Sequence, residues 1–400
     1  MRKLIILTLS TLVIFTASLH AQMPNTFLVK PERLVALKSS FQKGDSRTTT
    51  LINSLLKTAN SDLKRTPVSV TSKKKIPTGG NIHDYMSMAP YFWPDSTKPN
   101  LLPYINKDGQ FNPEIYTVTD HQYIQELERW VQDLALAYYF TDEEKYAAKA
   151  SQFLQVWFID TATLMNPNLN YAQAIMGLNE GRASGMIDAC ELTTLLNAVE
   201  LLAGSVSWTT TQDLKLKEWF EQYYTWLLES KNGIAERKNK NNHGPWYDQQ
   251  IVAVALYLGK KDWAKEYLNN TILRIPVQIE PDGRMPLELS RTNALHYNTF
   301  AIEAWFRTAT LADYLGMDLW NYTTTDGRSF HKAFNWLLPY ATGEMKWEYQ
   351  QINEYKKKTI YKLLLQAANH YGGNYYQQAQ KVKDGSDNTI TDIFYDKMDK

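Results

Sequence analysis

The sequence predicts an all-α protein whose helices stack as hairpins into an (α/α) toroid, in a single domain. Apolar residues recur at three- and four-residue spacing in nine windows, whereas the alternation typical of strands is scarce. A motif of alanine, tyrosine, leucine, glycine and a later tryptophan also repeats, since residues 255–263 recur as residues 312–320. One such period holds two helices with their loops, so the repeat indicates stacked hairpins around a central cleft.

The repeat has two weaker copies upstream, at residues 137–146 and 198–208. Each copy is expected to end one helix, to turn, and to begin the next helix with an aromatic residue. The nine predicted helices, in chain order, are 123–140, 143–158, 185–202, 211–229, 246–258, 261–271, 294–315, 329–338 and 352–371. The stretch after Gly372 is expected to have only a structural role.

Residues 1–21 are typical of a secretory signal peptide. Arg2 and Lys3 precede an apolar stretch at 4–17, and Leu19-His20-Ala21 forms a cleavage site. No later segment approaches the roughly 20 apolar residues that a membrane span needs. We therefore expect a secreted protein with no membrane segment after cleavage, whose residues 22–400 form the toroid domain.

The charge balance excludes some classes of partner. Loss of residues 1–21 leaves 41 basic and 42 acidic residues, so neither nucleic acid nor a membrane surface is an expected partner. An anionic substrate would have to meet a local patch. The single Cys190 excludes an internal disulfide and is expected to be buried. The histidines show no paired ligand spacing, so no metal and no cofactor are expected.

Three long irregular segments, 71–117, 160–181 and 231–245, are the expected location of a functional site. The first contains Tyr85, Tyr91 and Trp93, and the second leads from Gln173 to Arg182. Flat aromatic faces stack on sugars, amides bind hydroxyls, and the fork of an arginine binds carboxylates. The set therefore predicts an anionic sugar as ligand, although each residue taken alone can serve loop folding.

Two polar clusters carry the candidate chemistry. Asn242 and His243 lie in the run 241–248, and Arg291 and Tyr297 lie in the run 288–297. Together these types suit β-elimination from a uronic acid: amides and an arginine neutralise the carboxylate, and His243 and Tyr297 transfer protons. A free tyrosine has a pKa of about 10, so Tyr297 needs a nearby cation such as Arg291 to act as a base.

The runs 83–95, 166–182, 241–248 and 286–297 resemble the alginate lyase superfamily, which includes polysaccharide lyase families 5 and 38. The resemblance covers roughly residues 80 to 320 and preserves the order of four separate runs. It implies an (α/α) toroid and a periplasmic enzyme. It also implies that 1,4-linked uronans are cleaved without a metal, with an anionic polysaccharide such as alginate, polymannuronate or glucuronan as substrate.

The resemblance also implies roles for four residues. Asn242 would neutralise the carboxylate, and Arg291 would assist it or position the tyrosine. Tyr297 would be the acid, and also the base where elimination is syn. His243 would be the base for the other epimer or would stabilise the carboxylate. The expected substrate contacts are Tyr85, Tyr91, Trp93, Gln173, Arg182, Asn241, Trp246 and His296.

One departure from the family 5 pattern concerns Arg291. That pattern separates the arginine and the tyrosine by one residue more, and one residue rotates a side chain by about 100° on a continuous helix. The departure favours family 38 and weakens the transfer of Arg291 more than that of His243 or Tyr297. His296 or Asn298 is the expected replacement.

Other interpretations stay open at this stage. His243 can bond to a loop backbone, Tyr297 can belong to the core, and the arginines can pair with Glu288 and Glu180 nearby. A glycoside hydrolase on the same toroid would need two carboxylates about 5–10 Å apart. The loop carboxylates available for it are Asp84, Glu180, Asp248, Glu280 and Asp282. A non-catalytic glycan-binding protein is the third possibility.

Overall fold

The computed structural model describes residues 23–397. Helices dominate this part of the chain. The α-helices are α1 Pro31–Gln42, α2 Ser46–Asp62, α3 Asp120–Thr141, α4 Glu144–Phe158, α5 Leu192–Val199, α6 Thr210–Glu229, α7 Lys231–Arg237, α8 His243–Tyr257, α9 Lys261–Thr271, α10 Ile275–Gln278, α11 Pro286–Leu289, α12 Ala294–Tyr314, α13 Phe330–Thr342, α14 Lys358–Tyr371, α15 Tyr375–Val382 and α16 Thr389–Tyr395. The predicted signal peptide lies outside the described residues. Within them, no helix has the length and apolar character to cross a bilayer.

Helices that are adjacent in sequence pack on one another, among them α3 with α4, α8 with α9 and α12 with α13. Contacts of α5 with α3 and α8, and of α8 with α12, join these hairpins into one ring. Large side chains such as Trp157, Phe220, Trp305 and Phe306 are fully buried and fill the space between the helices. The fold is an (α/α) toroid, which confirms the predicted fold class.

The sequence repeat marks helix ends. Each copy contains a residue with positive φ at or just after a helix end, and these residues are Asp142 (57°), Gly204 (88°), Gly259 (76°) and Gly316 (74°). A left-handed residue at this position ends a helix and lets the chain turn back. The tryptophans differ, however. Trp263 lies in α9 as predicted, whereas Trp320 lies in a turn and α13 begins only at Phe330.

Several predicted boundaries are wrong. The predictions missed α1, α2, α15 and α16, and α7 lies inside a segment predicted to be irregular. In α2, polar Thr48 and Asp62 occupy buried positions, which interrupts the apolar stripe. The window 185–202 is not one helix but a 3-10 helix at Ala183–Ala189, then α5, then another 3-10 helix. At Gly185 an added Cβ would come within 2.5 Å of Ala172, so this backbone packs directly on a strand.

That strand belongs to one of two small sheets, each of two strands. The strands are β1 Met86–Met88, β2 Phe92–Trp93, β3 Ile105–Asn106 and β4 Tyr171–Ala174. β1 pairs with β4 in parallel, and β2 pairs with β3 in antiparallel fashion. The helices α3, α8 and α12 begin near one another. Their first turns carry His121, His243 and Tyr297, which line one cavity.

Candidate active site

A cleft of about 550 Å³ opens where α3, α8 and α12 begin. Nine of the twelve side chains that the sequence singles out line it. They are Tyr91, Gln173, Arg182, Asn241, Asn242, His243, Arg291, His296 and Tyr297. The cleft therefore joins all three irregular segments predicted to hold the site, although they are far apart in the chain.

His243, the first residue of α8, is held by Glu236 of α7. The imidazole Nδ1 lies 2.5 Å from Oε1 of Glu236, whose carboxylate is buried and also accepts a bond from Asn239. A carboxylate at Nδ1 places the ring proton on that nitrogen and leaves Nε2 as the basic one. His243 is thus arranged as a proton acceptor and does not bond to a loop backbone through its ring.

Asn242 is fixed by a second buried carboxylate, that of Glu288 on α11. The backbone N–H of Asn242 donates to Oε1 at 2.6 Å, and its side-chain N–H donates to Oε2 at 2.8 Å. Burial raises the pKa of Glu288, and the two bonds from Asn242 act against that rise. The Oδ1 atom of Asn242 is buried with no hydrogen-bond partner among the described residues. Glu288 thus uses one of the two hydrogens of the side-chain amide and leaves the other without a partner among the described residues.

Arg274 holds the loop that leads into α8. It forms a bidentate pair with buried Asp248 and donates to the carbonyls of Arg237 and Asn239. A Cβ added at Gly244 would come within 2.5 Å of Arg274 Nη1 and 2.6 Å of the carbonyl oxygen of Asn239. Only glycine fits there, so the backbone just after Asn242 and His243 packs directly against Arg274 and the carbonyl oxygen of Asn239.

Tyr297 lies in the first turn of α12 and is 8% exposed. Its hydroxyl is 2.8 Å from the hydroxyl of Tyr91, and the guanidinium of Arg291 lies 3.6 Å from its ring centre. Burial and the neighbouring Tyr91 raise the pKa of Tyr297 above its ordinary value, although Arg291 acts to lower it. The phenol is therefore protonated at neutral pH and able to donate its proton.

Arg291 is bound to Asp108, not to Glu288 as one interpretation had it. Nη2 lies 2.5 Å from Oδ1 of Asp108, and Nε lies 3.1 Å from Oδ2. Arg291 precedes α12, in the loop after α11, so it does not share a continuous helix with Tyr297. The predicted rotation of about 100° per residue therefore does not apply to this pair. The guanidinium of Arg291 nevertheless contacts Tyr297, because it lies over the face of the tyrosine ring.

Another wall of the cleft is built around Asp188, which is buried in the 3-10 helix Ala183–Ala189. We call its four linked side chains the Asp188 network, and they are His121, Gln173, Arg182 and Asp188. Gln173 donates to Asp188 at 2.9 Å and accepts from Arg182 at 2.6 Å, and Nδ1 of His121 lies 3.4 Å from Asp188. Gln173 has a φ of 52°, a strained conformation of the kind that occurs at functional sites.

Three expected substrate contacts lie elsewhere. Tyr85 is fully buried and donates its hydroxyl to Asp188, and Trp246 is buried against Phe300 at 4.5 Å between ring centres. Trp93 lies outside the cleft lining, and its indole N–H donates to the carbonyl of Gln110. The aromatic faces of Tyr85 and Trp246 are occupied by protein, so they support the cleft without reaching a sugar. Cys190 is buried as predicted.

Five residues organise the site in roles that the sequence analysis did not assign, namely His121, Glu236, Glu288, Asp108 and Asp188; of these, Glu288 was considered only as a partner of Arg291. Four are carboxylates that fix a predicted residue, and they act from distances of up to 183 positions along the chain. Glu236 had one usable signal, because it precedes His243 by seven residues in a segment that forms a helix. The others carry no local pattern that distinguishes them from surface acids.

The site thus presents an imidazole, a phenol, an amide held by Glu288 and several cationic side chains in one cleft. Within residues 23–397, the only carboxylates that line it are Asp108 and Asp188, and both are already bound. No three His, Cys, Asp or Glu side chains of this part of the chain are grouped as a metal ion would require. The arrangement can transfer protons at a substrate carbon and leaving oxygen while an amide meets an anionic group.

Comparison with known proteins adds independent findings. The alginate lyase family model matches residues 69–347. An alginate lyase from Bacteroides ovatus is 38% identical, with a TM-score of 0.89 over 93% of this chain and 99% of that chain. Alginate lyase A1-III from Sphingomonas species A1 is 15% identical, with a TM-score of 0.59 over 94% and 96%, and shows a shared fold. No curated protein matches the chain in sequence.

Proposed function

Because the chain belongs to the alginate lyase family and is a polysaccharide lyase, we propose that it cleaves 1,4-linked uronans by β-elimination without a metal ion. Alginate, polymannuronate and glucuronan are the candidate substrates. The observation that carries the proposal is the convergence of Asn242, His243 and Tyr297 on one cleft. In this proposal Asn242 contacts the substrate carboxylate, His243 is the base and Tyr297 is the acid.

The first task is to stabilise the uronate carboxylate, because negative charge builds on it as the C5 proton leaves. Asn242 supports this role, since Glu288 fixes its orientation and takes only one of its two amide hydrogens. Arg291 adds a positive charge nearby, although Asp108 occupies its fork. We therefore assign the direct contact to Asn242 and the positioning of Tyr297 to Arg291.

The second task is removal of the C5 proton. We assign it to Nε2 of His243 where the proton and O4 lie on opposite faces of the sugar. Glu236 supports this by holding the ring proton on Nδ1. The electron pair of the C5–H bond forms the C4–C5 double bond, and the C4–O4 bond breaks.

The third task is protonation of the departing O4, which we assign to Tyr297. Burial keeps its pKa above the ordinary value, so the phenol holds the proton that O4 needs. Tyr91 can return a proton to it across their 2.8 Å contact. Where the C5 proton and O4 share a face, Tyr297 would act as base as well. It would first have to release its phenol proton to water, and the guanidinium of Arg291 over its ring would stabilise the phenolate that accepts the C5 proton.

The rival hydrolase has less support. It needs an acid and a second carboxylate that face each other across the cleft. None of the five loop carboxylates considered from the sequence lines the cleft, namely Asp84, Glu180, Asp248, Glu280 and Asp282. Asp248, for example, is buried in its pair with Arg274.

Periplasmic location stays a proposal that rests on residues 1–21 and is tested by fractionating cells that express the full chain.

The elimination leaves a C4–C5 double bond conjugated to the carboxylate, which absorbs ultraviolet light. Polymannuronate, polyguluronate and glucuronan are incubated with the protein, with and without a chelator, and absorbance and reducing ends are both followed. We expect both to rise together, unaffected by the chelator. New reducing ends without absorbance would indicate a hydrolase, and binding without either would indicate a glycan-binding protein.

The site assignment is tested in the same assay. Tyr297→Phe and His243→Ala should lose activity, whereas the matched control Tyr314→Phe should keep it. Tyr314 ends the same helix as Tyr297 and bonds to Asn25 far from the cleft. Full activity in both cleft variants would disprove the assignment.

A further inference from the structure

The Asp188 network lies outside the machinery assigned to elimination. Its side chains come from α3, β4 and the segment 182–188, whereas Asn242, His243, Arg291 and Tyr297 come from α8, α12 and the loops before them. Both sets line the same cleft. The network therefore faces a bound polysaccharide without taking part in the proton transfers.

Asp188 does not need His121 for its hydrogen bonds. Ser87, Tyr85 and Gln173 already donate to its two oxygens, and these residues are all buried. His121 differs from them because its side chain is 40% exposed, at the cleft surface, while that of Asp188 is fully buried. A buried carboxylate beneath an exposed imidazole holds a positive charge at the surface of the cleft. The remaining ring nitrogen of His121 has no partner among the described residues.

Two further observations point to an anionic ligand. Burial acts to lower the pKa of His121, but the charge of Asp188 outweighs burial and raises the pKa above the ordinary value. Arg182 lies at the other end of the network and donates to Gln173, while its Nε is buried with no partner among the residues that the structure describes. An imidazole whose charged form is favoured and a partly unused guanidinium thus face one cavity, and charged donors of this kind bind carboxylates strongly.

We propose that His121 and Arg182 form a second carboxylate site in the cleft, which binds the uronate unit next to the one that undergoes elimination. This proposal rests on the proposed function, in which Asn242 meets the carboxylate of the reacting unit. Every unit of a uronan carries a carboxylate, so a neighbouring unit presents one as well. Asp188 acts as a positioning residue that keeps His121 charged.

The test uses His121→Gln, which removes the charge and keeps a donor toward Asp188. We expect KM for the cleaved uronan to rise about tenfold or more, the cost of one charged hydrogen bond, with kcat changed less than about threefold. Arg182→Gln should behave in the same way, and His121→Lys should recover part of the affinity. The control His331→Gln changes a half-buried histidine that bonds to Tyr375 outside the cleft and should leave KM unchanged.

A binding measurement separates charge recognition from loss of structure. In the Tyr297→Phe background, calorimetry compares a mannuronate tetrasaccharide with its carboxyl-reduced counterpart. His121→Gln should weaken binding of the first and leave binding of the second unchanged. Equal loss for both ligands, an unchanged KM, or a fall in kcat alone would overturn the proposal. If the wild type cleaves no uronan, the proposed function fails, and weaker tetrasaccharide binding by His121→Gln would still support the site.

Discussion

Arg291 and Arg307 make the same two kinds of contact in different parts of the molecule. The guanidinium of Arg291 lies 3.6 Å from the ring centre of Tyr297, and that of Arg307 lies 5.1 Å from the ring centre of Trp246. Each arginine also binds carboxylate oxygen, at 2.5 Å for Arg291 with Asp108 and at 2.6 Å for Arg307 with Glu191.

Their surroundings differ. Arg291 is in a loop at the cleft, and its side chain is 22% exposed. Arg307 is in the middle of α12 and is 8% exposed, and Glu303 and Lys362 complete its network. Trp246 and Phe300 lie between that network and the cleft. The same motif therefore lies within the helix packing at Arg307, the closed side of the comparison, and beside the cleft at Arg291, the open side.

The largest expected effect is on the open side. Tyr297→Phe removes the proton donor to O4 and should lower kcat about 1000-fold, because general acid catalysis contributes 10² to 10⁴. Its thermal unfolding should match that of the wild type, since the ring stays in place under Arg291. Activity is measured by ultraviolet absorbance and stability by calorimetry. A large loss of stability would mean that the hydroxyl serves the fold and not the reaction.

The closed side should respond in the opposite way. Arg307→Met takes the cationic partner away from Glu303 and from Glu191, whose side chains are 13% and 37% exposed, so the free energy of unfolding should fall by about 2 kcal/mol. kcat should stay within about threefold of the wild type, because Trp246 still covers the site from the cleft. Arg284→Met, which breaks an exposed pair with Asp282, is the control and should change stability little. A fall in kcat without a loss of stability would contradict the comparison.

Asp108, the carboxylate that binds Arg291, allows a test of how this arginine acts on Tyr297. Asp108→Asn removes the bidentate partner and lets the guanidinium leave the ring of Tyr297, which should lower kcat roughly 10- to 100-fold. KM should change much less than kcat, because Arg291 is assigned to positioning and not to substrate binding. If KM rose while kcat held, Arg291 would be a substrate ligand.

A smaller effect concerns Asp133, a buried carboxyl group that, unlike the carboxylates at Arg307, forms no ion pair with a described residue. Burial and the neighbouring Asp62 raise the pKa of Asp133 to about 7. The folded protein therefore keeps a proton that the unfolded chain loses near pH 4, so stability falls as the pH rises from about 4 to 7. Asp133→Asn should raise the free energy of unfolding by on the order of 2 kcal/mol at pH 8 and leave it unchanged at pH 3.5. Urea unfolding at both pH values measures this.

The sequence predicted those parts of the site that local pattern encodes. Asn242 and His243 are neighbours at the start of a helix, and Tyr297 opens another, so their shared cleft follows from the hairpin repeat. Asp108 could not be assigned to Arg291, because the two are 183 positions apart and lie in irregular segments. Trp246 was misassigned, because an aromatic residue beside a catalytic motif serves the core or a sugar equally well by sequence.

The start of α3, α8 and α12 at the cleft has an electrostatic consequence. The positive ends of three helix dipoles, each about half a unit charge, meet at one mouth. Glu288 offsets that of α8 through the backbone N–H of Asn242. The whole chain has a formal net charge of only +1, so the protein as a whole adds little attraction for an anion. Salt screens the local attraction beyond roughly one Debye length, about 10 Å at 0.1 M salt. An anionic polysaccharide is therefore attracted mainly at this mouth.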